Sequence, residues 1–462
     1  MRVLLVVYDN GSYTHSFPMG MAYVASVMER EGHEVVIYSQ DLHHHPDSHL
    51  TEYLDANVFD AIGVSVIAGY YQYRKLIALS QAINRSKNRP FYILGGFGPT
   101  PEPEFFLKKM QADVIVMGEG ELTTVELMAA IANKTSLAAI EGIAYREGDT
   151  VTINPRRALI EDIDTIPWPA YHKFPMEYYR LLRVAKCKPT DMVIPLLSGR
   201  GCTFRCTFCY RMDTGHRPRS TEAIIEEIRY LKKDFGITRI TFQDELLMTS
   251  VERATEICEG FLRADLGITW DCNGRLNYAK PELLKLMQKS GCVFINYGIE
   301  SLDNTVLKNM KKGLTDDLIV SGIEETLAVG ISPGLNIIFG NIGDNRTTLK
   351  KSVAFLLKYD DFAQIRTIRP VTPYPGSPLY YDAIKKGLLK DVEDFYENKH
   401  LNSDLLCCNF TDMAEDDFYE ALTEANITLL NSYFTNQHKR TAEQVSNLYK
   451  TRDTTFRGFR QI

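Results

Sequence analysis

Gly201-Cys202-Thr203-Phe204-Arg205-Cys206-Thr207-Phe208-Cys209 carries three cysteines spaced Cys-x3-Cys-x2-Cys beside a glycine. Three thiolates on one tight loop can hold three irons of a [4Fe-4S] cube, whereas four-cysteine zinc and ferredoxin sites need a fourth ligand. One iron is then left open. A small molecule with an amine and a carboxylate can chelate it and receive an electron from the cluster. The plain alternative is three reduced core thiols, and the tightness of the spacing argues against it. Cys187, Cys258, Cys272, Cys292, Cys407 and Cys408 follow no such pattern and read as ordinary thiols of a reducing compartment.

Charged residues recur further along the chain where short apolar runs end. Asp244 and Glu245 close Thr241-Phe242-Gln243-Asp244-Glu245, Arg275 follows Asn273-Gly274, and Glu300 and Ser301 follow Gly298-Ile299. Carboxylates so placed suit a ligand with cationic and hydroxyl groups, and an arginine can fork onto a carboxylate.

The elements that must position these groups are read from periodicity. Strand runs are expected at 2–8, 34–38, 61–66, 91–94 and 113–117, with amphipathic helices at 20–31 and 71–85. Such alternation implies a doubly wound parallel sheet whose ligands sit beyond the carboxyl ends of the strands. Glycine-rich loops occur there: Gly95-Gly96-Phe97-Gly98-Pro99-Thr100, then Gly118-Glu119-Gly120-Glu121. A proline-rich acidic segment, Asp162 to Tyr171 with Trp168 between two prolines, marks a boundary. Beyond it six strands are expected at 193–198, 239–243, 270–273, 293–299, 332–338 and 364–370, separated by helices, as in a partial (β/α)6 TIM-type barrel with its site at the strand C-termini.

The cysteine spacing, with Phe208 before the last cysteine, resembles the radical S-adenosylmethionine (SAM) superfamily. The first segment resembles the cobalamin-binding domain that precedes the core in B12-dependent members, through Gly-Gly-x-x-Pro-Thr and Gly-Glu-Gly-Glu at successive strand ends and Ser65 on the strand between. The resemblance implies an α/β chain: a Rossmann-like cobalamin-binding domain (1–150), a linker (151–190), a radical SAM core (191–390) and a C-terminal helical region (391–462). It implies a [4Fe-4S] cluster on Cys202, Cys206 and Cys209. SAM contacts are expected from Phe208, Asp244, Glu245, Arg275, Glu300 and Ser301, and cobalamin contacts from Ser65, Gly95 to Thr100 and Gly118 to Glu121. Gly340-Asn341-Ile342-Gly343-Asp344 and Pro373-Tyr374-Pro375-Gly376-Ser377-Pro378 are similar to the family's fifth- and sixth-strand turns. Arg217 and Arg219 are expected to touch SAM or cobalamin, or to open the helix at 221–231. The loop after the first strand lacks the Asp-x-His-x-x-Gly motif that supplies a lower cobalt ligand, leaving Tyr13 and His15 as candidates. Asp41-Leu42-His43-His44-His45-Pro46 reads as a solvated loop.

The implied chemistry is reduction of SAM to methionine and a 5′-deoxyadenosyl radical that removes hydrogen from an unactivated carbon. The carbon radical then takes a methyl group from methylcobalamin, and the corrinoid is reduced and remethylated by a second SAM. A C-methyltransferase is therefore expected, with a flavodoxin or ferredoxin as external electron donor. The alternative is a non-methylating cyclase or oxidative ring rearrangement on the same two domains. The substrate is a small molecule or a peptide or protein side chain. A formal charge of -7 without a Lys/Arg block argues against nucleic acid. No apolar run reaches the length of a membrane span, so a cytoplasmic enzyme is expected. Residues 418–434 read as an amphipathic helix.

Overall fold

The branched aliphatic run Val3 to Val7 forms β1 (Arg2–Val7), buried on both faces as the interior strand of a parallel sheet requires. The computed structural model describes residues 1–11 and 15–456. β1 pairs in parallel with both β2 (Glu34–Ser39) and β3 (Ala61–Ser65), and β4 (Phe91–Gly95) and β5 (Val114–Val116) extend the parallel sheet. Two antiparallel strands that periodicity missed, β6 (Ile143–Glu147) and β7 (Thr150–Ile153), complete the order β2-β1-β3-β4-β5-β6-β7. The winding reverses between β1 and β3, so the loops after these strands flank the crevice where such sheets bind ligands. Helices Met19–Arg30 and Tyr70–Arg85 lie within a residue of their expected positions.

Contacts divide the chain into two compact units. The first comprises Met1–Leu182, Met192–Glu245 and Thr372–Cys408; the second comprises Arg183–Asp191, Leu246–Val371 and the chain from Asn409. The first unit thus holds the opening sheet together with β8 (Val193–Leu196), the short β9 (Gly199–Arg200) and β10 (Arg217–Pro218), and β11 (Arg239–Phe242), which is parallel to β8. Helix Thr221–Phe235 links β10 to β11. Ser220 caps it by accepting from Ala223 N, Gly236 ends it in the left-handed region, and Ile224, Ile228 and Leu231 bury its apolar face. Trp168 of the linker stacks on Tyr230 of this helix at 5.5 Å.

The second unit contains four parallel strands, β12 (Thr269–Gly274), β13 (Cys292–Glu300), β14 (Ser332–Phe339) and β15 (Arg369–Pro370). β15 is much shorter than the run read at 364–370. Arg366 is drawn into ion pairs with Asp360 and Asp361, and the side-chain amide of Asn426 takes both the N–H and the carbonyl of Ile368, so those groups never enter a ladder. The C-terminal helix, Glu415–Thr451, extends well beyond the expected 418–434; Phe418, Leu422, Ala425 and Leu429 are its buried stripe. No helix among the described residues is long and apolar enough to cross a membrane.

The first unit's last segment contains a single π-helical turn, Phe395–Lys399, followed by the wholly buried His400. The His400 ring stacks on Phe395 at 5.0 Å and meets Tyr374 edge-on at 5.3 Å, and neither ring nitrogen has a hydrogen-bond partner. Burial lowers its pKa to about 4. An unfolded histidine titrates near ~6.5, so between these values the unfolded chain binds the extra proton. Stability present above the unfolded value is therefore lost as pH falls, by up to about 3 kcal/mol. His400→Phe should remove that slope. Urea midpoints of the two proteins should diverge as pH drops from 6.5 to 4 and run parallel above it; parallel behaviour throughout would refute the assignment.

Candidate functional site

The cysteine loop is closed at its neck by β9 and β10, which pair antiparallel with Arg200 opposite Arg217 and Gly199 opposite Pro218. The backbones pass very close. A Cβ on Gly201, at φ +85°, would lie 2.4 Å from the Gly215 carbonyl oxygen, and one on Gly199 would lie 2.9 Å from that of Arg217. The glycine beside Cys202 is thus demanded by the neck. Cys206 is buried, Cys202 half-buried and Cys209 exposed, and none of the nine cysteines forms a disulfide.

The turn Pro373 to Pro378 backs this loop. Leu379 N donates to the Thr207 carbonyl at 2.9 Å, Gly376 lies against the Tyr210 ring, and the buried Ser377 caps helix Pro378–Lys385. The family-like proline-glycine turn is explained here by packing.

At the end of β11 the two acids differ. Asp244 is buried, and its carboxylate accepts from Ser198 N at 2.7 Å, from Gly199 N at 3.1 Å and from the Ser198 hydroxyl, pinning the chain where it enters the neck. Glu245 opens to solvent. Surrounding protein and the nearby Asp213 and Asp244 carboxylates push its pKa above the usual range, so a cation would be welcome beside it. Surrounding protein, and then the charges of Cys206, Glu245 and Cys202, push the Cys209 thiol up to about 12. Such a set of donors needs added positive charge to exist as thiolates, and iron supplies it. Among the described residues no histidine, cysteine, aspartate and glutamate groups converge as ligands of one metal ion, whereas the thiols of a cubane each serve a different iron. The trio fits a cluster.

The loops expected to receive a corrin lie at the strand ends of the opening sheet. Gly96, at φ +95°, follows β4; a Cβ there would lie 2.5 Å from the Val66 carbonyl oxygen and 2.7 Å from the Ser65 hydroxyl. Gly98 packs on Ile67, Thr100 folds its hydroxyl back onto the Gly96 carbonyl at 2.7 Å, and Phe97 is 40% exposed. Gly95 ends β4 and Pro99 continues the turn. Gly118 faces open space, with nothing within 4 Å of a Cβ position. The backbone there is bare to a flat ligand, which fits a corrin. Phe97 meets Tyr210, the residue after Cys209, edge-on at 6.0 Å.

Glu119 and Glu121, expected at the corrin, have carboxylates already engaged. Glu119 accepts from Arg200 at 2.8 Å, Arg217 at 2.9 Å and Ile160 N at 2.9 Å; Glu121 accepts from Arg200 at 2.5 Å. Burial alone would raise Glu119, yet the hydrogen bonds from Arg217, Ile160 N and Arg200 outweigh it and hold its carboxyl below the usual value. Arg217 is therefore turned toward the opening domain. Arg219 pairs with the buried Glu227, which also accepts from the Tyr171 hydroxyl at 2.7 Å, so Arg219 knits helix Thr221–Phe235 to the linker. Arg200 was invisible to sequence reasoning. Its only signal is adjacency to the cysteine motif, and a partner eighty residues away has no local signature.

Of the two residues considered for the lower face of cobalt, Tyr13 lies outside the described residues. His15 sits 6.3 Å from the Tyr8 ring, and burial lowers its pKa. The histidine run is not the plain loop expected. Gln40–His43 is a short helix capped by Ser39, His44 pairs with Asp9 at 2.9 Å, and Asp41 is buried, its pKa raised by that burial.

In the second unit, Arg275 follows β12, is buried, and donates from Nε to Asn277 at 2.9 Å. Glu300 ends β13 just past a register shift, at φ +70°, a conformation a glutamate adopts at a cost of roughly 1 kcal/mol or more. Lys312 pairs with it at 2.8 Å, and the Ser301 hydroxyl accepts from Asp303 N at 3.2 Å. Asp344 ties the Gly340 turn by accepting from Gly340 N, Asn341 N and the Thr348 hydroxyl.

Two family models match the chain: the B12 binding domain over residues 7–128 and the radical SAM superfamily over residues 196–356. An uncharacterized methyltransferase of Pyrococcus horikoshii is 31% identical over 404 residues, covering 84% of each chain. The anaerobic magnesium-protoporphyrin IX monomethyl ester cyclase of Rubrivivax gelatinosus is 25% identical over 392 residues, 82% of this chain and 68% of that one. Among solved structures, the radical SAM methyltransferase TsrM of Kitasatospora setae, with cobalamin and a [4Fe-4S] cluster bound, superposes with a TM-score of 0.73 at 17% identity, covering 93% of this chain and 88% of that one. That likeness shows the fold, an α/β chain with the expected partial barrel after the opening domain.

Proposed function

Because the chain belongs to the radical SAM superfamily and to its B12-binding branch, we propose that it is a cobalamin-dependent C-methyltransferase acting on an unactivated carbon. The observation that carries this reading is the contact of Phe97 with Tyr210, which sets the glycine loop expected at a corrin against the residue that follows the last cysteine. When bound, the cluster with SAM supplies the 5′-deoxyadenosyl radical and the corrin supplies the methyl group.

Cys202, Cys206 and Cys209 hold the cluster, and Asp244 fixes the entry to their loop through Ser198 and Gly199. Glu245 offers its carboxylate to the SAM ammonium, beside Phe208. Arg275, Glu300 and Ser301 serve the rest of SAM, and the strain at Glu300 supports a functional reason for its position. Ser65, the loop Gly95 to Thr100, Gly118 and Gly120 form the corrin side. An external one-electron donor such as a flavodoxin or ferredoxin, in a reducing cytoplasm, completes the system.

The test is an anaerobic reconstitution with cobalamin, reductant and methyl-labelled SAM. Each turnover should yield one 5′-deoxyadenosine, one S-adenosylhomocysteine and one labelled methyl group on the product. The cyclase relative favours one rival: 5′-deoxyadenosine formed with product but without S-adenosylhomocysteine would replace methylation by ring formation.

A further inference from the structure

The neck of the cysteine loop sets two like charges directly across a two-residue ladder, Arg200 against Arg217. Directly opposed like charges drive paired strands apart, and the glycines at 199 and 201 bring these backbones closer than most. Only an anion between the guanidinium groups lets the neck close. That anion is Glu119: its Oε1 accepts from both Arg200 and Arg217, and its Oε2 accepts from Arg217 and the Ile160 N–H. Glu121 takes the second arm of Arg200, and the Arg200 guanidinium lies over the Tyr23 ring at 5.2 Å. Asp213 stands 4.0 Å from the far arm of Arg217. The acids belong to the turn after β5, whose Gly118 leaves the backbone open at the expected corrin side, while Gly120 packs on Val24.

We propose that Glu119 is a positioning residue for the cluster: it neutralises Arg200 and Arg217, so that the cysteine loop takes its closed form only when held by the corrin-domain turn. The Gly-Glu-Gly-Glu segment thereby divides its labour, with Gly118 toward the corrin and the glutamates toward the loop. The inference rests on the cysteine loop being the cluster site. It is tested without methyl transfer.

The experiment uses the full chain, reconstituted anaerobically, in three forms: unaltered, Glu119→Gln, and Glu119→Gln combined with Arg217→Gln. Iron and sulfide content, hydroxocobalamin binding, the electron paramagnetic resonance signal of the reduced cluster with and without SAM, and 5′-deoxyadenosine release are measured. Glu119→Gln should bind hydroxocobalamin as the unaltered chain does, yet lose the SAM-induced change in the cluster signal and release 5′-deoxyadenosine about 10- to 100-fold more slowly, the usual cost of losing a support behind a metal ligand. The double variant removes the opposed charge as well, and should recover to within about fivefold of the unaltered chain, the non-additivity expected of contacting groups. If the single variant is insoluble, recovery of soluble, iron-bearing protein in the double variant supports the proposal equally. A double variant no better than the single one overturns it, as does loss of hydroxocobalamin with an intact SAM-responsive cluster. Absence of iron from the unaltered chain would instead defeat the reading of the loop itself.

Discussion

Replacing any one of Cys202, Cys206 or Cys209 by alanine is expected to remove the cluster's brown absorbance and take SAM cleavage down to background. In the proposed cluster each thiolate holds its own iron, so no remaining ligand can substitute. Enzymic accelerations run to about 10⁶-fold and beyond, and the whole of it is forfeited here. Alanine at Cys258, Cys272 or Cys292, all buried in the second unit, should leave iron and sulfide content unchanged while costing some stability. Retention of the absorbance after all three loop thiols are changed would refute the assignment.

The second large effect is expected at Asp244. Its carboxylate is a buried acceptor for two backbone N–H groups and one hydroxyl. A buried donor left without its acceptor costs about 1–3 kcal/mol, and the two backbone N–H groups, unlike the Ser198 hydroxyl, cannot rotate to another acceptor. Asp244→Ala should therefore destabilise the first unit by about 3–5 kcal/mol, read as a lowered urea midpoint, and reduce iron incorporation because the entry to the neck is no longer fixed. Glu245→Gln provides the contrast. The side chain is exposed, so stability should change by no more than about 0.5 kcal/mol, while SAM affinity should fall about tenfold, equivalent to roughly 1.4 kcal/mol. Equal stability losses in the two variants would show that these neighbours do not divide the work as their surroundings indicate.

The sequence disclosed the groups whose meaning is local. Cysteine spacing, glycines after strands and a proline-flanked tryptophan each carry their constraint within a few residues, and the structure places all of them at strand ends or in the linker. What it concealed depends on distant partners. Nothing near Glu119 signals that Arg200 and Arg217 will claim its carboxylate, because an ion pair formed by chain folding has no sequence period. The truncation of β15 is hidden for the same reason: Ile368 is diverted by Asn426, whose side-chain amide imitates a neighbouring strand. β6 and β7 were missed because both are short and antiparallel: β6 has only three buried residues before it turns charged at Arg146 and Glu147, and β7, at the sheet's edge, has none.

The backing of the cysteine loop by Leu379 and Gly376 also bears on biogenesis. These residues emerge from the ribosome long after the thiols, because domains form in the order of synthesis and contacts between distant segments wait for the later one. A nascent chain therefore displays its sulfur ligands on an unbacked loop. Iron delivery to the proposed site should then follow the synthesis of residues 376–379 rather than that of the thiols, and be completed when that later segment arrives to seat the loop.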